Sequence, residues 1–130
     1  MWQTQGDGPL AAVRGHQYIN LTTFRKSGEG VGTPVWFAVE DGKLYVGTPA
    51  DSGKVKRIRN NLKVQLAPCT ASGRALGPSI EARARILPAD EEAAANHALN
   101  RKYGLRRRFF DILYRLRRKK RALLEIVPTY

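Results

Sequence analysis

Thr33-Pro34-Val35-Trp36-Phe37-Ala38-Val39-Glu40-Asp41-Gly42-Lys43-Leu44-Tyr45-Val46-Gly47-Thr48-Pro49-Ala50-Asp51-Ser52-Gly53-Lys54-Val55-Lys56-Arg57-Ile58-Arg59 is the stretch that decides the fold. Residues 33–40 are rich in β-branched and aromatic side chains and read as a strand. Asp41-Gly42 suits the left-handed backbone of a tight hairpin turn. Residues 43–48 then return as a second strand. A polar turn, Pro49 to Gly53, launches a basic helix in which Asp51 or Ser52 serves as N-cap. Val55, Ile58 and Leu62 recur at helical spacing, so that face is expected to sit on the sheet, with Lys54, Lys56, Arg57 and Arg59 covering the rest.

That helix start has a chemical meaning. Unpaired backbone N–H groups, a serine hydroxyl and nearby cations together suit a phosphate group. Lys54 lies where a cation opposes the helix dipole, so stability alone gives no reason for it, and a bound anion would offset the conflict. The plainer alternative is a solvated basic helix that caps a hairpin. The spacing of Gly, Lys and Ser/Thr differs from that of a Walker phosphate loop, and there is no dinucleotide fingerprint.

Outward from this centre, the chain alternates strands and turns. Pro9–Arg14 reads as a short helix ended by Gly15, and Gln17–Arg25 as a strand whose Ile19, Leu21 and Thr23 share one face. Lys26–Gly30 reads as a flexible turn. Lys63–Pro68 and Ser79–Leu87 are strands separated by a loop holding Gly73, Gly77 and Pro78. Asp90 is expected to cap a helix from Glu91 to Tyr103, with acids early, cations late and Gly104 at its end. A further helix is expected from about Arg106 to Lys119, with Leu105, Phe109, Ile112, Leu113 and Leu116 on one face. Ala122–Val127 is a last strand. The expected architecture is mainly β with added helices, a six-stranded small β-barrel in one domain spanning residues 1–130. Residues 1–8 are expected to form a flexible arm.

The charge is uneven. The chain has 130 residues and a formal net charge of +12. Residues 101–121 hold eleven Lys/Arg against the single acid Asp111, a net of +10, so the remainder is nearly neutral. Such a basic helical segment suits an anionic partner: nucleic acid, an anionic membrane surface or a polyanionic small molecule. No apolar run is long enough to span a bilayer and no signal peptide is legible, which gives a cytoplasmic expectation. Cys69 is the only cysteine; it reads as a packed or edge thiol. His16 and His97 have no cysteine or carboxylate partners at metal-ligand spacing, and no nucleophile elbow is present. Any redox reaction would therefore need a cofactor to supply the hard chemistry.

Several runs together resemble a known family: Leu21-Thr22-Thr23-Phe24-Arg25, Thr33-Pro34-Val35-Trp36-Phe37, Leu44-Tyr45-Val46, Asp51 to Asn60, Leu66-Ala67-Pro68-Cys69, Glu81-Ala82-Arg83-Ala84, Arg101-Lys102-Tyr103-Gly104 and Leu124-Glu125-Ile126. In order and spacing, across residues 17–127, they are similar to the flavin and deazaflavin oxidoreductases of the pyridoxamine 5'-phosphate oxidase-like split β-barrel class. The nearer resemblance is to its actinobacterial subgroup dependent on coenzyme F-420. One departure is Leu62 after Asn61, where the family usually has proline. The resemblance implies an FMN-binding split barrel and a homodimer with cofactor grooves at its interface. It further implies a coenzyme F-420 (8-hydroxy-5-deazaflavin) cofactor, with FMN as the alternative, and hydride transfer to a small-molecule substrate.

Carried over by position, Ser52, Gly53, Lys54, Lys56 and Arg57 would hold the cofactor phosphate with Thr48 beside them. Pro34, Val35 and Trp36 would line the ring system, and Thr23 and Arg25 are further ring-side candidates. No catalytic acid or base is identified. Two readings compete with an enzyme: a non-catalytic cofactor carrier, and nonspecific nucleic-acid binding through the basic segment.

Overall fold

The computed structural model describes residues 8–104, 106–107 and 120–129. Of the flexible arm expected for residues 1–8, residues 1–7 lie outside the described residues, and Gly8 instead opens a 3-10 turn. Most of the basic helix, residues 108–119, together with Leu105, also lies outside the described residues. The described chain forms β1 (Tyr18–Phe24), β2 (Gly30–Trp36), β3 (Ala38–Glu40), β4 (Lys43–Pro49), α1 (Gly53–Asn60), β5 (Lys63–Cys69), β6 (Ile80–Ile86), α2 (Ala93–Tyr103) and β7 (Arg121–Pro128). Short 3-10 turns at Gly8–Ala12 and Ala89–Glu91 precede β1 and α2.

The seven strands form one antiparallel sheet in the order β2-β1-β5-β6-β7-β4-β3. Its two edge strands are consecutive in sequence, separated by Phe37 alone. One short link cannot join the far edges of a flat sheet, so the sheet curls until β2 and β3 approach. A barrel-like core is the result. Strict alternation fills it: in β1, Ile19, Leu21 and Thr23 are buried while their neighbours are half-buried. Leu44, Val46, Val64, Leu66, Ala82, Ala84, Leu124 and Ile126 complete the interior. Ile58 of α1 and Leu10 and Val13 of the N-terminal turn also join it. A second apolar layer lies outside the sheet, where Ala95, Ala98, Leu99 and Tyr103 of α2 cover Ala38, Tyr45 and Leu123.

Four sequence expectations need correction. The barrel has seven strands and not six, because the run expected as one strand over residues 33–40 breaks at Phe37. The backbone N–H of Phe37 donates to the Tyr103 hydroxyl at 2.9 Å, and its carbonyl accepts from that hydroxyl at 2.7 Å. A side chain from far along the chain thus takes the place of a sheet neighbour. The turn expected over residues 26–30 is shorter, since β2 begins at Gly30. Asp90 does not cap α2: it lies in a 3-10 turn, and α2 starts at Ala93 behind Glu92, which makes no side-chain cap. Leu62 is 50% exposed, because α1 ends at Asn60 and Asn61 is extended. The Asp41-Gly42 turn has φ of 53° and 76°, the left-handed pair expected of it.

Candidate functional site

A groove of about 300 Å³ opens where β2, β4, α1, α2 and β7 meet. Its apolar side is Pro34, Val35 and Trp36 of β2 with Leu99 and Tyr103 of α2. Gly47, Thr48 and Pro49 of β4 supply backbone and a hydroxyl, while Lys54, Arg107 and Arg121 bring three cations. The fold converges on this place because β2 and β4 both end here, at the curl, and α1 leaves directly from β4.

The α1 side is built from local contacts. Ser52 is the N-cap, its Oγ accepting from Val55 N–H at 3.5 Å, and Thr48 Oγ1 lies 3.5 Å from the same oxygen. Thr48 is buried. Arg57 folds back over the helix start: its Nε donates to Thr23 Oγ1 at 2.7 Å. A methyl group at position 53 would stand 2.8 Å from Arg57 Nη1, so glycine leaves room for the guanidinium. Burial, with the Arg57 charge adding to it, pulls the Lys54 ammonium below the ordinary lysine value. A partly desolvated lysine next to a second cation is a setting that favours an incoming anion.

The α2 side is assembled over long sequence distances. Trp36 and Tyr103 stack with ring centroids 4.5 Å apart and planes 6° from parallel. Tyr103 Oη also reaches the Gln17 carbonyl at 3.0 Å. Burial pushes its phenol up to about 12, so it stays neutral at physiological pH. Lys102, one residue earlier, donates to the His16 carbonyl at 2.6 Å and lies 3.5 Å from the Phe37 ring centroid. Arg107 is 5% exposed. Its Nη1 donates to the Asn96 carbonyl at 3.0 Å and Asn100 Oδ1 at 2.8 Å, and its Nη2 to Asn96 Oδ1 at 2.7 Å. Burial and the neighbouring Arg121 pull the Arg107 guanidinium down to about 10, which leaves it charged at neutral pH.

Of the residues singled out in the sequence, Pro34, Val35, Trp36, Thr48 and Lys54 come together on the groove. Ser52, Gly53 and Arg57 stand beside it at the start of α1, and Lys56 is exposed. Thr23 supports Arg57 from below. Arg25 is not brought to the site: it pairs with Glu29 at 2.9 Å in the β1–β2 turn. Tyr103, Arg107, Arg121, Leu99, Gly47 and Pro49 line the groove without having been singled out. The Arg101-Lys102-Tyr103-Gly104 run was the available signal for Tyr103. Cys69 is buried and burial raises its thiol, which makes it a packed thiol and not an activated one. Among the described residues, no group of histidine, cysteine and carboxylates could hold a metal ion, and no helix is long and apolar enough to cross a membrane.

Comparison with known proteins places these features. The family model described as pyridoxamine 5'-phosphate oxidase matches residues 10–130. None of the curated proteins compared with the sequence matches it. Among solved structures, the heme storage protein HutZ of Vibrio cholerae superposes with a TM-score of 0.68 at 15% identity, covering 88% of this chain and 83% of that one. An FAD-binding protein of Mesorhizobium loti gives 0.67 at 15% identity, covering 95% and 87%. The conserved hypothetical protein Rv2991 of Mycobacterium tuberculosis gives 0.67 at 20% identity, covering 100% and 82%. At these identities the likeness is one of fold.

Proposed function

The chain belongs to the pyridoxamine 5'-phosphate oxidase family, and from that premise we propose that it is a deazaflavin-dependent oxidoreductase. It would use coenzyme F-420 to move a hydride between the cofactor and a small organic acceptor. The observation that carries this reading is the groove itself: an aromatic and apolar wall facing desolvated cations, next to a serine-capped helix start. A flat ring system with a phosphate tail matches that division of chemistry.

The residues present fit such a group. Lys54, with Thr48, Ser52 and Arg57 around it, would hold the phosphate by charge and hydroxyl hydrogen bonds. Pro34, Val35 and Trp36 would orient the ring, and Tyr103 fixes the indole of Trp36 by stacking on it. When bound, the cofactor supplies the hydride chemistry; the chain supplies orientation, a dry wall and positive charge. The Tyr103 hydroxyl is held by Phe37 and Gln17, so its role in the groove is positional.

The groove lies at the small end of ligand sites and opens along β2, an edge strand whose Gly32 and Pro34 are exposed. On the same outer face, the buried Asn20 Oδ1 has no hydrogen-bond partner among the described residues. We read this as the place where a second copy completes the site, which sedimentation of the purified protein would test: a monomer at micromolar concentration would remove the dimer. A non-catalytic carrier is favoured by a different observation: among the described residues, no histidine, carboxylate or thiol lines the groove.

The test of the cofactor is equilibrium binding of oxidised F-420 and of FMN to the purified protein, side by side, by ligand fluorescence. Tight binding of F-420 alone is the expected result. Preference for FMN would move the protein to the flavin branch. Binding of neither would overturn the oxidoreductase reading and turn attention to the basic segment 101–121. Turnover with any acceptor separates enzyme from carrier.

A further inference from the structure

We propose that Arg107, with Arg121 beside it, forms a carboxylate-binding subsite at the α2 end of the groove, distinct from the phosphate position at the start of α1. The inference deepens the reading of the groove as a ligand site and rests on it.

Arg107 is the most buried cation of the site, at 5% exposure. Its three hydrogen bonds go to neutral oxygens of Asn96 and Asn100. Two acceptors stand against Nη1 and one against Nη2. Of the five donors on a guanidinium, this leaves Nε–H and the second Nη2–H, which have no acceptor among the described residues. They lie along one edge of the planar group, at the spacing of the two oxygens of a carboxylate. Among the described residues this buried charge meets only amide oxygens, which is costly unless something anionic arrives. Arg121, also a cation, acts on it in the same unfavourable direction. Arg107 and Arg121 both line the groove, which is the side from which an anion would approach.

The two ends of the groove differ in what they offer. At α1 a lysine and two hydroxyls surround a helix start, which suits a phosphate. At α2 a fixed, planar two-donor edge suits a carboxylate. Val35, Trp36 and Leu99 contribute an apolar wall to the same groove. A ligand with an apolar or aromatic body and a carboxylate at one end would satisfy this arrangement. That carboxylate could belong to the acceptor or to the glutamate tail of the cofactor.

The experiment uses the full chain, with sodium benzoate as a planar carboxylate probe, benzamide as its neutral counterpart and inorganic phosphate, each titrated calorimetrically. Arg107→Gln should weaken benzoate at least tenfold and leave phosphate within twofold. Lys54→Ala should do the reverse, and benzamide should bind at least tenfold more weakly than benzoate. Arg107→Lys, which keeps the charge and loses the planar edge, should fall between, and it serves if the glutamine variant does not fold.

Unchanged benzoate binding in both Arg107 variants would overturn the subsite. So would equal losses for benzoate and phosphate, or a wild-type protein blind to millimolar benzoate. Arg107-dependent benzoate binding without affinity for F-420 or FMN would overturn the oxidoreductase reading and leave the subsite standing. Arg107→Gln also assigns the source. A penalty on F-420 that disappears when its glutamate tail is removed supports the tail; an equal affinity for both forms supports the acceptor.

Discussion

The two walls of the groove hold their cations by different means. On the α1 wall, Lys54 and Arg57 ride on an eight-residue helix that packs on the core through Val55 and Ile58, while the hydrogen bonds at its start are local. Arg57 keeps its place by one bond to Thr23. On the α2 wall, Arg107 is bound three times by asparagines, and Tyr103 ties Gln17 and Phe37 to the end of α2. One wall can adjust to what it holds; the other is set before a ligand arrives. Fixed donors lose little on binding and confer geometry, whereas mobile cations confer attraction and tolerance.

The sharpest way to break this contrast is Tyr103→Phe. The substitution keeps the ring that stacks on Trp36 and removes only the hydroxyl. Phe37, fully buried, then has an N–H and a carbonyl without their partner at the break between β2 and β3. Leaving such groups unsatisfied costs about 1–3 kcal/mol. We expect a loss of about 2 kcal/mol in urea unfolding, together with a weaker hold on the ring of any ligand that stacks at Trp36. A loss under about 0.5 kcal/mol would mean that water replaces the hydroxyl and that the α2 wall is not rigid in the sense argued.

These walls were not equally legible in the amino-acid sequence, and the reason is physical. The α1 wall is written in consecutive residues. Ser52 caps, Lys54 stands against the dipole, and Val55 and Ile58 give the buried face, all within seven positions. The strands were legible by their alternation and the 41–42 hairpin by its turn residues. The α2 wall depends on partners 66 and 86 residues apart in the chain. No local pattern announces that a tyrosine near a helix end will interrupt a strand, so residues 33–40 read as one strand and the barrel as six. Arg107 was hidden differently: one basic residue among eleven in a run looks like its neighbours until the fold buries it. Leu62 misled because helical spacing continued past the residue where the helix stops.

Salt should separate the walls by a smaller effect. Lys54 is half-buried, so part of any attraction it exerts on an anion would be screened. Arg107 works inside, through directed donors. Raising salt from about 0.05 to about 0.5 M should weaken phosphate binding several-fold in the wild-type protein, and much less in Lys54→Ala. Arg107-dependent benzoate binding should change less than phosphate binding over the same range. Equal salt sensitivity for the two probes would show that both walls act through net charge alone.

The smallest effect is expected at Gly53→Ala, where the adjustable wall should show its adjustability. The added methyl would meet Arg57 Nη1 at 2.8 Å and Cζ at 3.4 Å. Both atoms are at the far end of a flexible side chain, so the guanidinium swings aside and the backbone need not move. Alanine is the better helix former, by up to about 1 kcal/mol in a helix interior and less in a first turn. Against this stands the Arg57–Thr23 hydrogen bond, about 1 kcal/mol if it is lost. The terms offset, and stability should change by less than about 0.5 kcal/mol. Phosphate affinity should nonetheless fall by about threefold, because the Arg57 charge has left the start of α1. A destabilisation above about 2 kcal/mol would show that Arg57 cannot move. The α1 wall would then be as fixed as the α2 wall, and preorganisation would belong to the whole groove.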